Sequence, residues 1–255
     1  MSALVLRYAY LHAGSVPRLV EMIFWPIMDL LMWGFISTYF QHLSGAVSFL
    51  LGAIIMWDVL YRSQLSVSVS FLEDLWTRNL LNLFVAPLRL REMVAALCIV
   101  ALARTGVVVG VMGTLALALW SFSLTSMGWA MLPLFANLLW MGCSLGLVAV
   151  ALFLRYGQAA DSLAWGIPFM FQPLSAVFYP VSSLPGWLQP LCLMLPSTQV
   201  FEGMRAVLRG EAFPNEHLLL AAVSNVVLMG LSAKFFRWMF QQARIDGHLA
   251  RLGTE

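Results

Sequence analysis

Four ionisable side chains, two of each sign, interrupt the long apolar runs of this sequence: Asp29, Asp58, Arg62 and Arg104. A charged group at the centre of a membrane helix costs about 2.5 to 3.5 kcal/mol, so these side chains are expected to face protein or water rather than lipid. Asp58 and Arg62 are four residues apart and would share one helix face. Ser66 and Ser70 continue that spacing, which predicts a polar stripe along a single helix.

Two interpretations of these charges stay open. In the structural one, Asp58 pairs with Arg62 along its helix and Asp29 contacts Arg104 between helices. In the functional one, the charges line a path for a substrate, because intramembrane charge often marks such paths. A set of aromatic side chains allows the same choice between lining a channel and packing between helices: Trp25, Trp33, Phe169, Phe171, Phe178 and Tyr179.

Motifs for other chemistry are absent from the sequence. There is no phosphate-binding loop of the form GxxxxGK[ST], so the chain is not expected to hydrolyse ATP alone. The histidines are scattered without an HExxH motif, and Cys98, Cys143 and Cys192 have no paired spacing. No GxSxG elbow is present either. We therefore predict no catalytic residue, no bound cofactor and no metal site in this chain.

The composition is that of an integral membrane protein. Hydrophobic residues make up 61% of the chain and charged residues 10%, whereas an ordinary soluble domain has about 25% charged residues. The net charge of +2 is too small to indicate a nucleic-acid surface. The 255 residues have room for six spans of about 20 residues, so we predict one all-α membrane domain covering residues 1–255.

The apolar runs predict the following six spans: 19–40, 48–69, 93–120, 127–154, 162–181 and 217–240. The fifth is interrupted by Pro168, Pro173 and Pro180. Residues 1–17 suit a helix that lies in the membrane interface. The glycine pairs Gly106/Gly110 and Gly142/Gly146 are typical of faces that let helix backbones approach closely.

Residues 182–214 are too broken by proline to span a membrane and too apolar for a free loop. We interpret them as two short helices that dip into one leaflet. The second helix is predicted over 198–208, with Gly210 just past its end. Its periodicity sets Phe201, Met204 and Val207 opposite a polar face. That polar face carries Glu202, Arg205 and Arg209.

The most charged interval between two apolar runs is 70–91, and it predicts a short amphipathic helix. Ser70 followed by Glu73 is a capping box, and Asp74 adds negative charge near the predicted helix start. Leucines and aromatic residues recur at helical spacing, and Pro87 would end the helix. Such a helix would either tether two spans in the interface or dock a soluble partner.

The basic residues are distributed unequally between the two sides of this layout. Ten of the fourteen fall on one side: Arg7, Arg18, Arg78, Arg89, Arg91, Arg155, Lys234, Arg237, Arg244 and Arg251. Only Arg205 and Arg209 fall on the other side. The positive-inside rule then predicts that both termini and the 70–91 segment are cytoplasmic.

Two stretches in the same order carry a resemblance to a known family. The first contains Glu73-Asp74-Leu75, Leu80-Leu81 and Val85-Ala86-Pro87-Leu88 between the second and third spans. The second is PLSAVFYPVSSLP over 173–185, which leads to Leu195-Pro196-Ser197-Thr198 and Glu202-Gly203-Met204-Arg205. With an N-terminal interface helix and six spans, this order resembles the permeases of type-2 ATP-binding-cassette exporters.

The resemblance implies that the chain pairs with itself or a related permease above two cytoplasmic ATPase subunits, which would bind the ATP and magnesium. It implies that one set of residues forms the ATPase-coupling helix: Glu73, Asp74, Leu75, Trp76, Arg78, Leu80 and Phe84. It implies that another set forms a gate on the outer side: Pro180, Pro185, Trp187, Glu202 and Arg205. The location implied is the bacterial inner membrane, and the expected substrate is an amphiphile such as a lipid-linked glycan, a lipid or a hydrophobic drug.

A proton-coupled secondary transporter that uses the four intramembrane charges is the alternative. Such transporters are often built from internal repeats. The second half of this sequence lacks charges that match those of the first half, which favours the exporter permease.

Overall fold

The computed structural model describes residues 5–8, 10, 16–39, 46–76, 90–211 and 215–246. These described residues are mostly helical and form no strand, which confirms the predicted all-α class. Residues 5–8 are helical. The later α-helices, in chain order, are α1 Val16–Tyr39, α2 Ala46–Trp76, α3 Leu90–Trp120, α4 Met131–Tyr156, α5 Asp161–Phe171, α6 Gln189–Leu193, α7 Pro196–Leu208 and α8 Asn215–Ile245. Short 3-10 segments lie at Leu124–Ala130, Gly157–Ala160 and Val181–Ser183.

Several helical stretches are long and apolar enough to cross a membrane: Leu19–Tyr39, Glu92–Trp120, Leu124–Tyr156 and Asn215–Ile245. They match the predicted first, third, fourth and sixth spans. Their length follows from uninterrupted apolar sequence, because a bilayer core about 30 Å thick needs roughly 20 helical residues. The protein therefore has the helices of an all-α membrane protein.

Helix α2 lies at the centre of the fold. Residues 51–60 are all buried, and the helix packs against α1, α3, α4 and α5. Its 31 residues give a length of about 46 Å. This central position removes from lipid the one long helix that carries both Asp58 and Arg62, as the cost of burying charge in hydrocarbon requires.

The predicted close approach at Gly142 and Gly146 is confirmed. A Cβ atom on Gly142 would lie 1.9 Å from Ser63 Oγ, and one on Gly146 would lie 2.6 Å from Val67 Cβ. Glycine thus allows α4 to pack backbone to backbone on α2. The Gly106/Gly110 pair does not act this way within the described part of the chain, because a Cβ atom on either residue would meet nothing within 4 Å.

The predicted fifth span is wrong in its extent. Helix α5 has 11 residues and ends at Phe171, so it is about 16 Å long and shorter than the bilayer core. Turns and bends occupy 172–179. Pro173 lacks an amide hydrogen and so disfavours continuation of the helix. The two short helices predicted after this segment are present as α6 and α7.

The predicted helix start at Ser70 is also wrong. Ser70 lies inside α2, where its side chain is fully buried. A capping serine needs an extended backbone and offers its hydroxyl to a nearby amide. Here the hydroxyl instead accepts a 3.4 Å hydrogen bond from Arg104 Nη1, 34 residues away. The local capping signal was overridden by a partner on another helix.

Candidate functional site

A cavity of about 560 Å³ opens between α1, α2, α3 and α5. Six polar or charged side chains line it: Glu21, Asp29, Arg62, Ser66, Glu73 and Arg104. Aromatic side chains form much of the remaining wall: Trp25, Tyr61, Trp165 and Phe169. The volume lies within the range of about 300 to 1,000 Å³ that is typical of small-molecule sites.

Three of the four predicted intramembrane charges meet in this cavity, and the fourth lies directly behind it. Asp29, Arg62 and Arg104 line the wall. Asp58 is buried, and its Oδ1 accepts a 3.2 Å hydrogen bond from Arg62 Nε. The predicted pair along one helix is therefore confirmed, and it holds the Arg62 guanidinium at the cavity surface.

The predicted contact between Asp29 and Arg104 is not among the ion pairs of the described residues. Arg104 Nη1 instead donates hydrogen bonds to Ser66 Oγ at 3.3 Å and to Ser70 Oγ at 3.4 Å. The cation whose charge acts on Asp29 is Arg62. Arg104 thus bonds to the serines of the predicted stripe. Asp29 lines the cavity with its carboxylate.

Glu21 is a cavity residue that the sequence analysis missed. Glu21, Trp25 and Asp29 follow one another at four-residue intervals on α1, and all three line the cavity. Side chains four residues apart project from one side of a helix. The spacing itself was therefore the signal, which was overlooked because Glu21 lies near the end of its apolar run rather than within it.

The polar stripe on α2 is longer than predicted, because Asp74 continues the series Asp58, Arg62, Ser66 and Ser70. Asp74 is 2% exposed. Its Oδ2 accepts a 2.6 Å hydrogen bond from the Tyr8 hydroxyl, and its Oδ1 forms an ion pair with Arg7. This Arg7–Tyr8–Asp74 cluster fastens the N-terminal segment to the end of α2.

The physical need for that cluster follows from the position of Asp74. Asp74 is predicted near a helix start, where negative charge is favourable, but it lies far from the start of α2 at Ala46 and is buried, which is costly for a carboxylate without a partner. Arg7 and the Tyr8 hydroxyl offset this cost. Burial raises the pKa of Tyr8, and the Asp74 carboxylate raises it further, so the phenol stays protonated and remains a donor.

The predicted coupling-helix residues occupy different environments. Leu72 is fully buried and Glu73 lines the cavity, whereas Trp76 at the end of α2 is 47% exposed. Asp74, which the helical spacing places off the apolar face of the predicted helix, is buried, and Trp76, which the spacing places on that face, is exposed. The Leu75 side chain and the residues Arg78, Leu80, Phe84 and Pro87 lie outside the part of the chain that is described.

Arg205 has a structural role that its predicted position on a polar face did not indicate. It is buried, and its Nη2 donates to the carbonyl oxygens of Ala176 and Tyr179, at 2.6 Å for Tyr179. Its Nη1 lies 2.9 Å from Glu202 Oε1, which also accepts a 2.9 Å hydrogen bond from the Val181 amide. Periodicity defines a helix face but not what covers it, so these partners could not be read from the sequence.

Further hydrogen bonds fasten the irregular segment 172–181 to α7. Ser175 Oγ lies 2.7 Å from Ser197 Oγ, and Thr198 Oγ1 donates to the Leu174 carbonyl at 3.1 Å. Ala176 adopts a left-handed backbone with φ of 50°, which is unfavourable for a residue with a side chain. The Arg205 hydrogen bond to its carbonyl helps to hold that conformation.

The residues predicted to form an outer gate fall into two groups. Glu202 and Arg205 hold the irregular segment, whereas Pro180, Pro185 and Trp187 are exposed. Trp33 of α1 stacks on Phe178 of this segment with ring centroids 4.2 Å apart. Of the aromatic residues singled out from the sequence, Trp25 and Phe169 line the cavity, whereas Trp33 and Phe178 pack against each other.

Within the described residues, no group of three or more His, Cys, Asp or Glu side chains is arranged to hold a metal ion. No family model matches the chain, and no curated protein sequence matches it.

Proposed function

We propose that this chain is the transmembrane subunit of a type-2 ATP-binding-cassette exporter. In this proposal two copies, or one copy and a related permease, form the substrate path in a bacterial inner membrane. Two separate cytoplasmic ATPase subunits bind ATP and magnesium and drive transport. The substrate is an amphiphile that enters the charged cavity beside α2.

The observation that carries the proposal is the continuity of α2. One unbroken helix contains the Asp58–Arg62 pair, the serines that bind Arg104 and the buried Asp74 near its end. A rigid helix transmits a displacement at one end to the other, whereas a flexible linker would absorb it. Motion imposed near Trp76 would therefore change the wall of the cavity.

The Arg7–Tyr8–Asp74 cluster supports the same proposal. It ties the N-terminal segment to the point where α2 meets the 77–89 segment, so that both would move together. Trp76, two residues after Asp74 in α2, is exposed. An ATPase subunit that covers Trp76 would act on the end of α2 and on the N-terminal segment at once.

The full proposed topology has six spans. Helices α1, α3, α4 and α8 are four of them, α2 is the second, and α5 with the irregular segment after it forms the fifth. Helices α6 and α7 then lie in the outer leaflet, and both termini lie in the cytoplasm. In this arrangement Arg205 holds the outer end of the path through its bonds to the 176–179 carbonyls.

Affinity purification of the tagged chain from its native membranes tests the proposal. The expected result is an ATPase subunit that copurifies at a one-to-one ratio and hydrolyses ATP faster with the permease than alone. Trp76→Ala should reduce this stimulation, because it removes an exposed apolar side chain at the end of α2. Trp129→Ala is the matched control, since Trp129 is 85% exposed between α3 and α4. Recovery of the chain without an ATPase would contradict the proposal.

The buried Asp58–Arg62 pair beside a cavity also suits a proton-coupled transporter, which is the second candidate. That mechanism predicts uptake or efflux by the purified chain alone when a proton gradient is imposed. The exporter proposal predicts no such flux without the ATPase. Transport by the chain in vesicles, with and without a gradient, separates the two.

A further inference from the structure

We propose that the cavity beside α2 selects an amphiphilic cation, which narrows the amphiphile of the proposed function to molecules with a positively charged head and a flat or aromatic apolar body. The identification of the bound cation as a transported substrate rests on the proposed function. The binding preference itself is a property of the cavity and is tested separately.

The balance of charge around the cavity favours a cation. Among the described residues, the cavity wall carries the carboxylates Glu21, Asp29 and Glu73 against the guanidinium groups of Arg62 and Arg104, and Asp58, paired with Arg62, adds a further carboxylate. A charged ligand is attracted to a site of the opposite net sign, and the attraction is strong where water is partly excluded.

The acidic and basic side chains of the cavity also differ in whether they are already bonded to other residues. Arg62 is bound by Asp58, and Arg104 is bound by the hydroxyls of Ser66 and Ser70. Among the described residues, Glu21 and Asp29 form no ion pair. Within the described part of the chain, an incoming cation therefore meets two carboxylates that are not engaged in an ion pair, whereas an incoming anion would compete with bonds that Arg62 and Arg104 already make.

The aromatic wall provides a second, independent argument for a cation. Trp25, Trp165 and Phe169 line the same cavity as the carboxylates. The face of an aromatic ring attracts cations, and tryptophan does so best. The chain itself contains one such contact at this wall, since the Arg62 guanidinium lies 5.8 Å from the centre of the Tyr61 ring.

The position of the carboxylates matches the shape of such a ligand. Glu21 and Asp29 are eight residues apart on α1, with Trp25 midway between them, so their backbones are separated by about 12 Å. A cationic head at either carboxylate would place its apolar body against the Trp25 ring. A ligand could therefore pass from Glu21 to Asp29 without leaving that ring.

Two probes of matched shape and opposite charge test this inference: tetraphenylphosphonium and tetraphenylborate. Their binding is measured by equilibrium dialysis against the full-length chain in nanodiscs of zwitterionic lipid, with empty nanodiscs of the same lipid as the background. Saturable binding of the phosphonium, with an affinity about tenfold or more above that of the borate, is expected. Equal binding of the two probes, or preference for the borate, overturns the inference and favours an anionic amphiphile such as a diphosphate-linked lipid.

Variants then locate the site. Asp29→Asn and Glu21→Gln keep side-chain size and remove one charge, and each is expected to weaken phosphonium binding about tenfold. Trp25→Leu should weaken it by a smaller factor. Glu216→Gln removes an exposed carboxylate outside the cavity and should leave the affinity unchanged. Unchanged affinity in both Asp29→Asn and Glu21→Gln contradicts the inference, and if one variant fails to fold the other decides.

Failure of this inference is distinguishable from failure of the proposed function. A chain that stimulates its ATPase but prefers the borate remains a permease with a different substrate. A chain that prefers the phosphonium but has no ATPase retains the cation site and loses the exporter role.

Discussion

The Tyr8 hydroxyl donates a 2.6 Å hydrogen bond to Asp74 Oδ2, although the two residues are 66 positions apart in the sequence. This bond joins the N-terminal segment to the last turn of α2. It also satisfies a carboxylate that is buried and would otherwise lack a partner for Oδ2. The relationship identifies Asp74 as the residue that anchors the N-terminal segment to α2.

Removing the Tyr8 hydroxyl is therefore expected to destabilise the chain. A hydrogen bond to a charged, buried acceptor is worth about 1.5 to 3 kcal/mol, so Tyr8→Phe should lower the thermal unfolding midpoint of the purified chain. Tyr10→Phe is the control, because Tyr10 is 74% exposed. Equal midpoints for the two variants would show that the Tyr8 bond contributes nothing to stability.

Replacing Asp58 alone is expected to be more harmful than replacing it together with Arg62. Asp58→Ala leaves the Arg62 guanidinium without its 3.2 Å partner, and breaking a buried pair in this way costs about 3 to 5 kcal/mol. The double variant Asp58→Ala, Arg62→Ala should recover part of the loss. Thermal unfolding of the single and double variants measures the coupling, and simple additivity would count against the pair.

Weakening the Arg205 bonds is expected to loosen the irregular segment 172–181. Arg205→Lys keeps the charge but cannot reproduce the forked donation to the Ala176 and Tyr179 carbonyls. Cys192, which has no exposed surface, reports the change through its rate of labelling by a water-soluble maleimide. The rate should rise several-fold in a chain whose other two cysteines are replaced by serine.

Arg209→Lys is the control for that experiment. Arg209 is exposed and pairs with the exposed Glu211 at 2.6 Å, so its replacement should leave Cys192 protected. Labelling that is equally slow in both variants would show that Arg205 does not hold the segment closed.

The two glycine pairs should respond in opposite ways to alanine. Gly142→Ala would bring its Cβ atom to 2.6 Å from the Leu60 carbonyl oxygen, so we expect a lower unfolding midpoint. Gly106→Ala meets nothing within 4 Å and should raise the midpoint slightly, because alanine favours a helix over glycine by about 1 kcal/mol. A loss of dimer in Gly106→Ala, seen by size-exclusion chromatography with light scattering, would instead assign that face to a second copy.

What could be predicted from the sequence was set mainly by local periodicity. The stripe from Asp58 to Ser70 was correct, since residues four apart share a helix face whatever surrounds them. The Gly142/Gly146 approach was also correct. In both cases the pattern that carried the prediction lies within a single helix.

The errors arose where a distant partner decided the outcome. The local pattern of Ser70 and Glu73 predicts a helix cap, but Ser70 bonds to Arg104, which lies on another helix and is not visible in that pattern. The role of Arg205 is likewise absent from the helical spacing, because the carbonyl groups that it binds belong to an irregular segment that periodicity does not describe. Hydrogen bonds of this kind depend on the tertiary packing of separate segments, and the residue spacing within one helix carries no information about that packing.

The central claim is that a separate ATPase moves this chain by acting on the end of α2. The most direct measurement is flux of a radiolabelled amphiphile across vesicles that contain the chain with its copurified ATPase, the chain alone, or the complex with Trp76→Ala. We predict flux that requires ATP and the intact complex and that falls in Trp76→Ala while Trp129→Ala retains it. Equal flux from the chain alone, without nucleotide, would contradict the claim.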